Sequence, residues 1–199
     1  MSRFRVALTI DTEHPDQPAA AGNPGLMLDA LSGAGARASF FIQGRWAAAS
    51  PRLARRIADD GHLIGNHSNS HAPMDMLTDE GIRDSVGKAE RAIQAACGAS
   101  PRPWFRCPYG QGEDDPRVLE VLDGIGYRSV GWDVDHKDWQ PGRTAAELVD
   151  GVVESVVAHG DGAVVLLHVW PDATLETMPR LISRLRDAGA DPVGLDELA

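Results

Sequence analysis

The chain has 199 residues, of which 43% are hydrophobic and 24% are charged, a composition typical of an ordinary globular protein. This composition excludes collagen-like, coiled-coil and disordered proteins. The 19 basic and 29 acidic residues give a formal net charge of −10. That charge disfavours nucleic acid and other anionic polymers as partners, because they are attracted to basic surfaces.

The length and the ends of the sequence indicate its organisation. A chain of this length is expected to form one domain, here residues 1–199. No secretion signal is recognisable, and no stretch approaches the roughly 20 apolar residues of a membrane span, so we expect a cytoplasmic protein. The two cysteines, Cys97 and Cys107, exclude a disulfide-rich scaffold and leave a single bridge open.

Short apolar runs alternate with longer helical patterns along the chain. Ser50-Pro51 and the Thr144–Glu147 capping box mark helix starts, and Gly98 marks a helix end. In chain order the pattern predicts a strand at 4–10, a helix at 25–31, a strand at 38–42, a helix at 51–60, a strand at 62–65, a helix at 78–97, a strand at 104–106, a helix at 115–124, a strand at 127–132, a helix from 144, a strand at 163–167, a helix at 177–188 and a weak strand at 191–194.

Seven strands that alternate with helices predict an α/β protein with a parallel sheet. A closed or nearly closed β/α barrel and an open doubly wound sheet both satisfy this pattern. No Gly-x-Gly-x-x-Gly motif follows the first strand, which disfavours a dinucleotide-binding fold.

Polar residues follow the C-terminal ends of the predicted strands, the edge at which active sites lie in β/α barrels. This pattern predicts an enzyme. The residues are Asp11, Glu13, His14, His67, His71, Arg106, Asp133, Asp135, Asp138 and His168.

His67 and His71 lie in a turn-rich loop, and with one carboxylate from the first strand end they could bind a metal ion. The alternative is an ordinary pair of surface histidines beside an acidic loop. His168 is either a satisfied core residue or a general acid, and Arg106 either binds a carboxylate or forms a surface ion pair. Three further histidines are interpreted as structural or surface residues: His62, His136 and His159.

Taken together, the motifs resemble those of the polysaccharide deacetylases, carbohydrate esterase family 4, also called the NodB homology domain. The resemblance covers nearly the whole chain. The matching segments are TID at 9–11, ASFF at 38–41, GNHSNSH at 65–71, FRCPYG at 105–110, DHKDW at 135–139, LLH at 166–168 and GLDEL at 194–198. The resemblance implies a distorted (β/α)7-type barrel with parallel strands and an active site at their C-terminal ends.

The resemblance also implies a hydrolase that removes an N-acetyl group from an amino sugar with one divalent metal ion. Zinc is the first choice, and cobalt, nickel and iron are alternatives. The implied roles are Asp11 as general base, His168 as general acid tuned by Asp138, Arg106 as the residue that orients Asp11, the Tyr109 backbone N–H as oxyanion donor, Trp139 and Leu166 as the acyl pocket, and His67 and His71 as metal ligands.

Three positions depart from the family's usual pattern. Thr12 stands where a second, metal-binding Asp is commonest, so we predict Glu13 as the third ligand, with Asp11 or His14 as weaker candidates. Cys107 replaces the usual proline, and a thiol there could be sensitive to oxidants or metals. Val169 follows His168 where Asp is common.

Several functions remain open beside the N-acetyl sugar hydrolase. The same fold could cleave another C–N bond, as in a cyclic amide or ureide, or an O-acetyl ester. Thr12 also keeps open a sugar-binding pseudoenzyme. A non-haem iron oxygenase uses two histidines and one carboxylate, but its usual all-β scaffold disagrees with this pattern. The expected partner is a small or oligomeric N-acetylated sugar, without nucleic acid or membrane.

Overall fold

The computed structural model of this protein describes residues 3–13 and 23–198. The strands are β1 (Phe4–Thr12), β2 (Ser39–Ile42), β3 (Leu63–Asn66), β4 (Trp104–Phe105), β5 (Arg128–Ser129), β6 (Ala163–His168) and β7 (Ala190–Val193). The helices are α1 (Asn23–Gly33), α2 (Gly44–Ala49), α3 (Pro51–Asp59), α4 (Asp79–Cys97), α5 (Pro116–Gly124), α6 (Ala145–His159) and α7 (Asp172–Asp187). Each predicted strand and helix has a counterpart in this series.

Several boundaries differ from the prediction. The sequence pattern did not indicate α2, and the predicted strand at 127–132 is reduced to the two residues of β5. Helix α7 begins at Asp172 and not at Thr177. Pro179 lies inside this helix, a position at which proline removes a backbone hydrogen bond.

The chain divides into two compact units. Of the described residues, the first unit contains 3–13, 23–39, 60–63 and 132–198. In it, β1 pairs in parallel with β6, from Val6 opposite Ala163 to Asp11 opposite His168, and also pairs in parallel with β7. Strand β6 is almost entirely buried, as its continuous apolar run predicts.

Helices α6 and α7 supply much of the first unit's core. Helix α6 begins with the predicted capping box, in which Thr144 and Glu147 satisfy each other's backbone N–H groups. Each fully buried aliphatic side chain contributes roughly 1.5–3 kcal/mol to folding. Those on the two helices are Leu148, Val149, Val152, Val156, Met178, Leu181, Ile182 and Leu185.

The second unit contains residues 40–59 and 64–131. Its strands follow the order β5-β4-β3-β2, and β4 pairs in parallel with both β3 and β5. Helix α4 begins at the cap Thr78 and ends at Gly98, whose φ of 72° requires the left-handed conformation that glycine adopts without strain. The buried core around α4 and α5 consists of Met74, Ile82, Val86, Phe105, Cys107, Val118, Val121, Leu122 and Tyr127.

The two cysteines are both buried and free, so the disulfide left open by the sequence is not formed. None of the described helices has an apolar stretch long enough to cross a lipid bilayer.

Candidate active site

In the first unit, strand pairing places an acid and an imidazole side by side. Asp11 lies directly opposite His168 in the parallel register of β1 and β6. The backbone N–H of Val169 donates to the Asp11 carbonyl oxygen at 3.2 Å, which continues this pairing past the end of β6. Asp11 and His168 are 3% and 6% exposed, so both polar groups sit in a largely desolvated setting.

Asp138 holds His168 through two hydrogen bonds. The imidazole Nδ1 lies 2.7 Å from Asp138 Oδ1, and the His168 backbone N–H donates to Asp138 Oδ2 at 2.8 Å. The Thr174 hydroxyl donates to the same Oδ2 at 2.5 Å. Because an ionised carboxylate only accepts, Nδ1 carries the proton, and Nε2 is the nitrogen left for chemistry.

The environment of His168 favours its charged form. Burial by itself lowers the pKa of His168. The hydrogen bond and charge of Asp138, with the charges of Glu13 and Asp11, outweigh burial and raise the pKa to about 9. Nε2 lies 3.8 Å from Glu13 Oε1. The imidazole is therefore protonated at neutral pH and can donate a proton from Nε2.

The first unit also contains a cluster of three side chains whose ligand atoms are close enough together to bind a cation. Single ligand atoms of Asp11, Glu13 and His168 all lie within 4.8 Å of one another. Metal binding at His168 would require its neutral form. Since Asp138 favours the imidazolium, this group fits proton transfer better than metal ligation.

In the second unit, the two histidines of the GNHSNSH segment face each other. His67 Nδ1 lies 2.9 Å from the Arg106 carbonyl oxygen, which only accepts, so Nδ1 is protonated and Nε2 carries the lone pair. His67 Nε2 and His71 Nε2 lie 3.1 Å apart. Two nitrogen ligands about 2.0–2.1 Å from one tetrahedral ion lie roughly 3.3 Å apart. The pair therefore fits a metal ion, and the bond to Arg106 orients its first ligand.

The loop that carries these histidines has a strained and well-supported backbone. Ser68 and His71 have φ angles of 60° and 61°, which is unfavourable for residues with a Cβ atom. Asn66 Oδ1 accepts from the Ser68 N–H at 2.9 Å, and Ser68 Oγ accepts from the His71 N–H at 3.1 Å. Asn66 Nδ2 in turn donates to the carbonyl of Val86. Such strain persists where surrounding contacts enforce it, and it clusters at functional sites.

Arg106 is built into the second unit, and the alternative of a surface ion pair is wrong because the residue is 0% exposed. Its Nε donates to the Val130 carbonyl at 3.2 Å and its Nη2 donates to the Gly131 carbonyl at 2.9 Å. The guanidinium also lies 4.2 Å from the centre of the Phe41 ring. These contacts fix the direction of the side chain.

Tyr109 combines an exposed ring with an unusual backbone. Its side chain is 63% exposed, and its ring centre lies 4.3 Å from that of His71. Its φ of 58° turns the peptide out of the helical direction. Within the described residues its backbone N–H donates to no acceptor, as an oxyanion donor requires before substrate arrives.

The proposed acyl-pocket residues differ in their exposure to solvent. In the first unit Trp139 is 42% exposed and Leu166 is 5% exposed. The weaker ligand candidate His14 lies outside the described residues. The sequence analysis did not identify Thr174 as a site residue. It contacts Asp138, which lies 36 residues earlier, and no local sequence signal links two positions so far apart.

Cys107 is 1% exposed, and its Sγ lies 3.7 Å from Ser129 Oγ. Burial raises the pKa of its thiol to about 12. The thiol is therefore protonated, which speaks against the expected sensitivity to oxidants or metals, since the thiolate is the reactive form.

Comparison with known proteins places these residues in a family. A family model described as "Polysaccharide deacetylase" matches residues 1–130. The "Chitooligosaccharide deacetylase" of Sinorhizobium fredii is 33% identical over 177 residues, which are 82% of this chain and 79% of that protein. "Uncharacterized protein YlxY" of Bacillus subtilis is 34% identical over 185 residues, 88% of this chain but 56% of that protein. The chain thus spans about half the length of YlxY.

Solved structures agree over nearly the whole chain. A family 4 carbohydrate esterase from Streptomyces lividans in complex with acetate has a TM-score of 0.82 at 33% identity, covering 96% of this chain and 93% of that one. BA3943, described as a CE4 family pseudoenzyme from Bacillus anthracis, has a TM-score of 0.85 at 30% identity, covering 98% and 65%. These similarities confirm the predicted (β/α)7-type fold class.

Proposed function

Because this chain belongs to the polysaccharide deacetylase family, we propose that it is a metal-dependent hydrolase that removes an N-acetyl group from an amino sugar. The observation that carries the proposal is the register of β1 and β6, which sets Asp11 beside His168 while Asp138 binds His168 Nδ1. Amide hydrolysis needs a base for the attacking water and an acid for the leaving nitrogen. Neighbouring carboxylate and imidazolium groups can supply both.

The proposed metal ligands are those predicted from the sequence: His67, His71 and Glu13. The facing Nε2 atoms of the histidines support the first two. Glu13 is proposed as the third because Thr12 offers no anionic oxygen and Asp11 is needed as the base. Zinc is the proposed ion, and cobalt, nickel or iron are alternatives. When bound, such an ion lowers the pKa of water and polarises the carbonyl of the substrate.

The residues of the chain would then perform the proton transfers. Asp11 takes a proton from the attacking water, and Arg106 orients Asp11. The Tyr109 N–H stabilises the oxyanion of the tetrahedral intermediate. His168 gives its Nε2 proton to the leaving nitrogen, while Asp138 keeps Nδ1 protonated.

The proposed substrate is a neutral N-acetylated mono- or oligosaccharide. Trp139 and Leu166 would surround the methyl group of the acetyl. The net charge of −10 disfavours acidic glycans and nucleic acid, and it tolerates the cationic amine that deacetylation produces. The named relative from Sinorhizobium fredii supports a chitooligosaccharide as the first substrate to test.

Acetate release from N-acetylated chitooligosaccharides, with and without a chelator, tests the proposal. We expect turnover that the chelator abolishes and zinc restores, and that falls on the order of 100-fold or more in the variant Asp11→Asn. Turnover of O-acetyl esters alone would assign an esterase, and turnover of a cyclic amide alone would assign another C–N hydrolase.

A second candidate function is a sugar-binding pseudoenzyme. Thr12, in place of the usual Asp, and the similarity to a Bacillus anthracis pseudoenzyme favour it. Binding of chitooligosaccharides without acetate release, at any added metal, would support this candidate and exclude the hydrolase.

A further inference from the structure

We propose that His136 is a positioning residue that anchors the Asp138 loop to helix α6 and thereby holds the general acid in place. The Asp138 loop is defined as residues 135–139 and lies with α6 in the first unit. This inference rests on the proposed hydrolase function. From sequence, His136 was interpreted as a structural or surface residue, without a link to the reaction.

The contact between His136 and α6 is close and specific. His136 Nε2 lies 2.9 Å from Ser155 Oγ, and the contact is partly buried. Gly151 lies four residues before Ser155 on the same face of the helix. A Cβ atom at Gly151 would approach His136 Cε1 and Nδ1 to 2.6 Å each, a distance that Cβ atoms essentially never show. The imidazole ring therefore lies directly against the bare backbone of α6.

Gly151 is otherwise unexpected at this position. Glycine inside a helix is less stable than alanine because it loses more conformational freedom on folding. The start of α6 has a good helix signal in its capping box. The absence of a side chain at Gly151 therefore makes room for the His136 ring.

The other side of the loop carries the catalytic contact. Asp138, two residues after His136, binds His168 and Thr174. Between them, Lys137 has a φ of 51°, and its N–H donates to Asp135 Oδ1 at 2.7 Å. A non-glycine residue in this conformation needs neighbouring contacts to hold it. His136 precedes it directly and supplies such a contact.

The segment that precedes the Asp138 loop is fixed by backbone pairing with β6. Val134 pairs with Val165 of β6, and the Leu166 N–H donates to the Val134 carbonyl at 2.9 Å. The loop is thus fixed to β6 on its entry side, to α6 through His136, and to His168 through Asp138. Loss of the His136 contact would allow Asp138 to shift relative to His168.

The variants His136→Ala and Gly151→Ala test the anchor, the second by filling the space that the ring occupies. On an N-acetyl amide we expect kcat to fall roughly 10- to 100-fold, as for a displacement of about 1 Å, with KM changed less than about twofold. On an activated acetyl ester, whose leaving group needs no proton, we expect a much smaller loss. His136→Gln, whose amide can still reach Ser155, restores part of the amide activity.

A proton NMR measurement tests the same anchor without turnover. The Nδ1 proton of His168, hydrogen-bonded to Asp138, is identified by its absence in the variant Asp138→Ala. We expect this signal to broaden or disappear in His136→Ala and Gly151→Ala. The matched control is Gly87→Ala, the same substitution inside α4, where the nearest atom to a new Cβ is the flexible Arg91 Nη1 at 3.4 Å. This control keeps both the signal and the activity.

An unchanged His168 signal together with equal losses on amide and ester overturns the inference. If His136→Ala does not fold, Ser155→Ala, which removes only one hydroxyl, takes its place with the same expected outcomes. A wild-type protein that releases no acetate contradicts the proposed function, whereas the NMR measurement still decides whether His136 holds the loop.

Discussion

Asp138 binds both the side chain and the backbone of His168, with distances of 2.7 Å to Nδ1 and 2.8 Å to the backbone nitrogen. One carboxylate therefore fixes the imidazole ring relative to its own strand. The Thr174 hydroxyl fixes the carboxylate from helix α7. This geometry orients Nε2 and sets its protonation without any contribution from substrate.

The first prediction concerns the charge of Asp138. In Asp138→Asn the hydrogen-bond acceptor remains but the negative charge is lost, so burial is opposed by fewer charges and the pKa of His168 falls well below about 9. NMR titration of the metal-free protein measures this shift. Asp135→Asn, the same substitution in the same loop, is the matched control and leaves the pKa of His168 near 9. An unchanged pKa in Asp138→Asn would show that other groups set it.

The second prediction concerns stability against pH. The pKa of His168 is raised on folding from 6.5 to about 9, so the folded state binds its proton more tightly. Its contribution to the free energy of unfolding is complete below pH 6.5 and is lost as the pH rises through about 9. Urea unfolding of the wild type and of His168→Gln measures the effect. Their difference in unfolding free energy shrinks between about pH 6 and about pH 10. A difference that grows over this range contradicts the assignment.

Much of this site was visible in the sequence for a physical reason. A buried strand that ends in a polar residue places that residue at the sheet edge, so Asp11 and His168 were recognisable as candidates. The sequence did not indicate that these two residues pair with each other, because their pairing depends on the register of β1 against β6. The role of Thr174 depends on the start of α7 at Asp172, five residues before the predicted start at Thr177.

Local signals also account for the success and failure of the helix predictions. Helix α4 was predicted at both ends because Thr78 and Gly98 satisfy its terminal backbone groups locally. Helix α2 has six residues and no side-chain cap, so no such signal marked it. Its position follows instead from tertiary hydrogen bonds, such as that from the Gly44 N–H to the Ser68 carbonyl.

The third prediction separates the two carboxylates of the first strand end. Glu13→Gln loses metal affinity because a neutral amide is a weaker ligand than a carboxylate. Asp11→Asn retains the metal, and its kcat falls on the order of 100- to 10,000-fold, as for removal of a general base. Metal content by mass spectrometry and acetate release measure the two effects. His159→Ala, on the last turn of α6, is the control that keeps both. The reverse result for the two carboxylates would exchange their roles.

The fourth prediction concerns Arg106 as a structural residue of the second unit. Arg106→Met leaves the partly buried carbonyls of Val130 and Gly131 without these donors, and each acceptor that loses its partner costs up to about 1–3 kcal/mol. We therefore expect a loss of several kcal/mol in the free energy of unfolding, measured with urea. Arg128→Met on the exposed side of β5 is the matched control, with a change of less than about 0.5 kcal/mol. Equal small changes in both variants would remove Arg106 from this role.

The fifth prediction concerns the charge of the substrate. The net charge of −10 repels an acidic N-acetylated glycan at low salt, where charges are felt beyond about 10 Å, and this repulsion is screened as salt rises. We expect kcat/KM for a neutral chitooligosaccharide to change little between about 10 mM and about 500 mM sodium chloride. For the acidic glycan, kcat/KM starts lower and rises with salt. Acetate release at the two salt concentrations measures kcat/KM for each of the two substrates. Preferred turnover of the acidic glycan at low salt would contradict the proposed substrate class while leaving the roles of Asp11 and His168 unaffected.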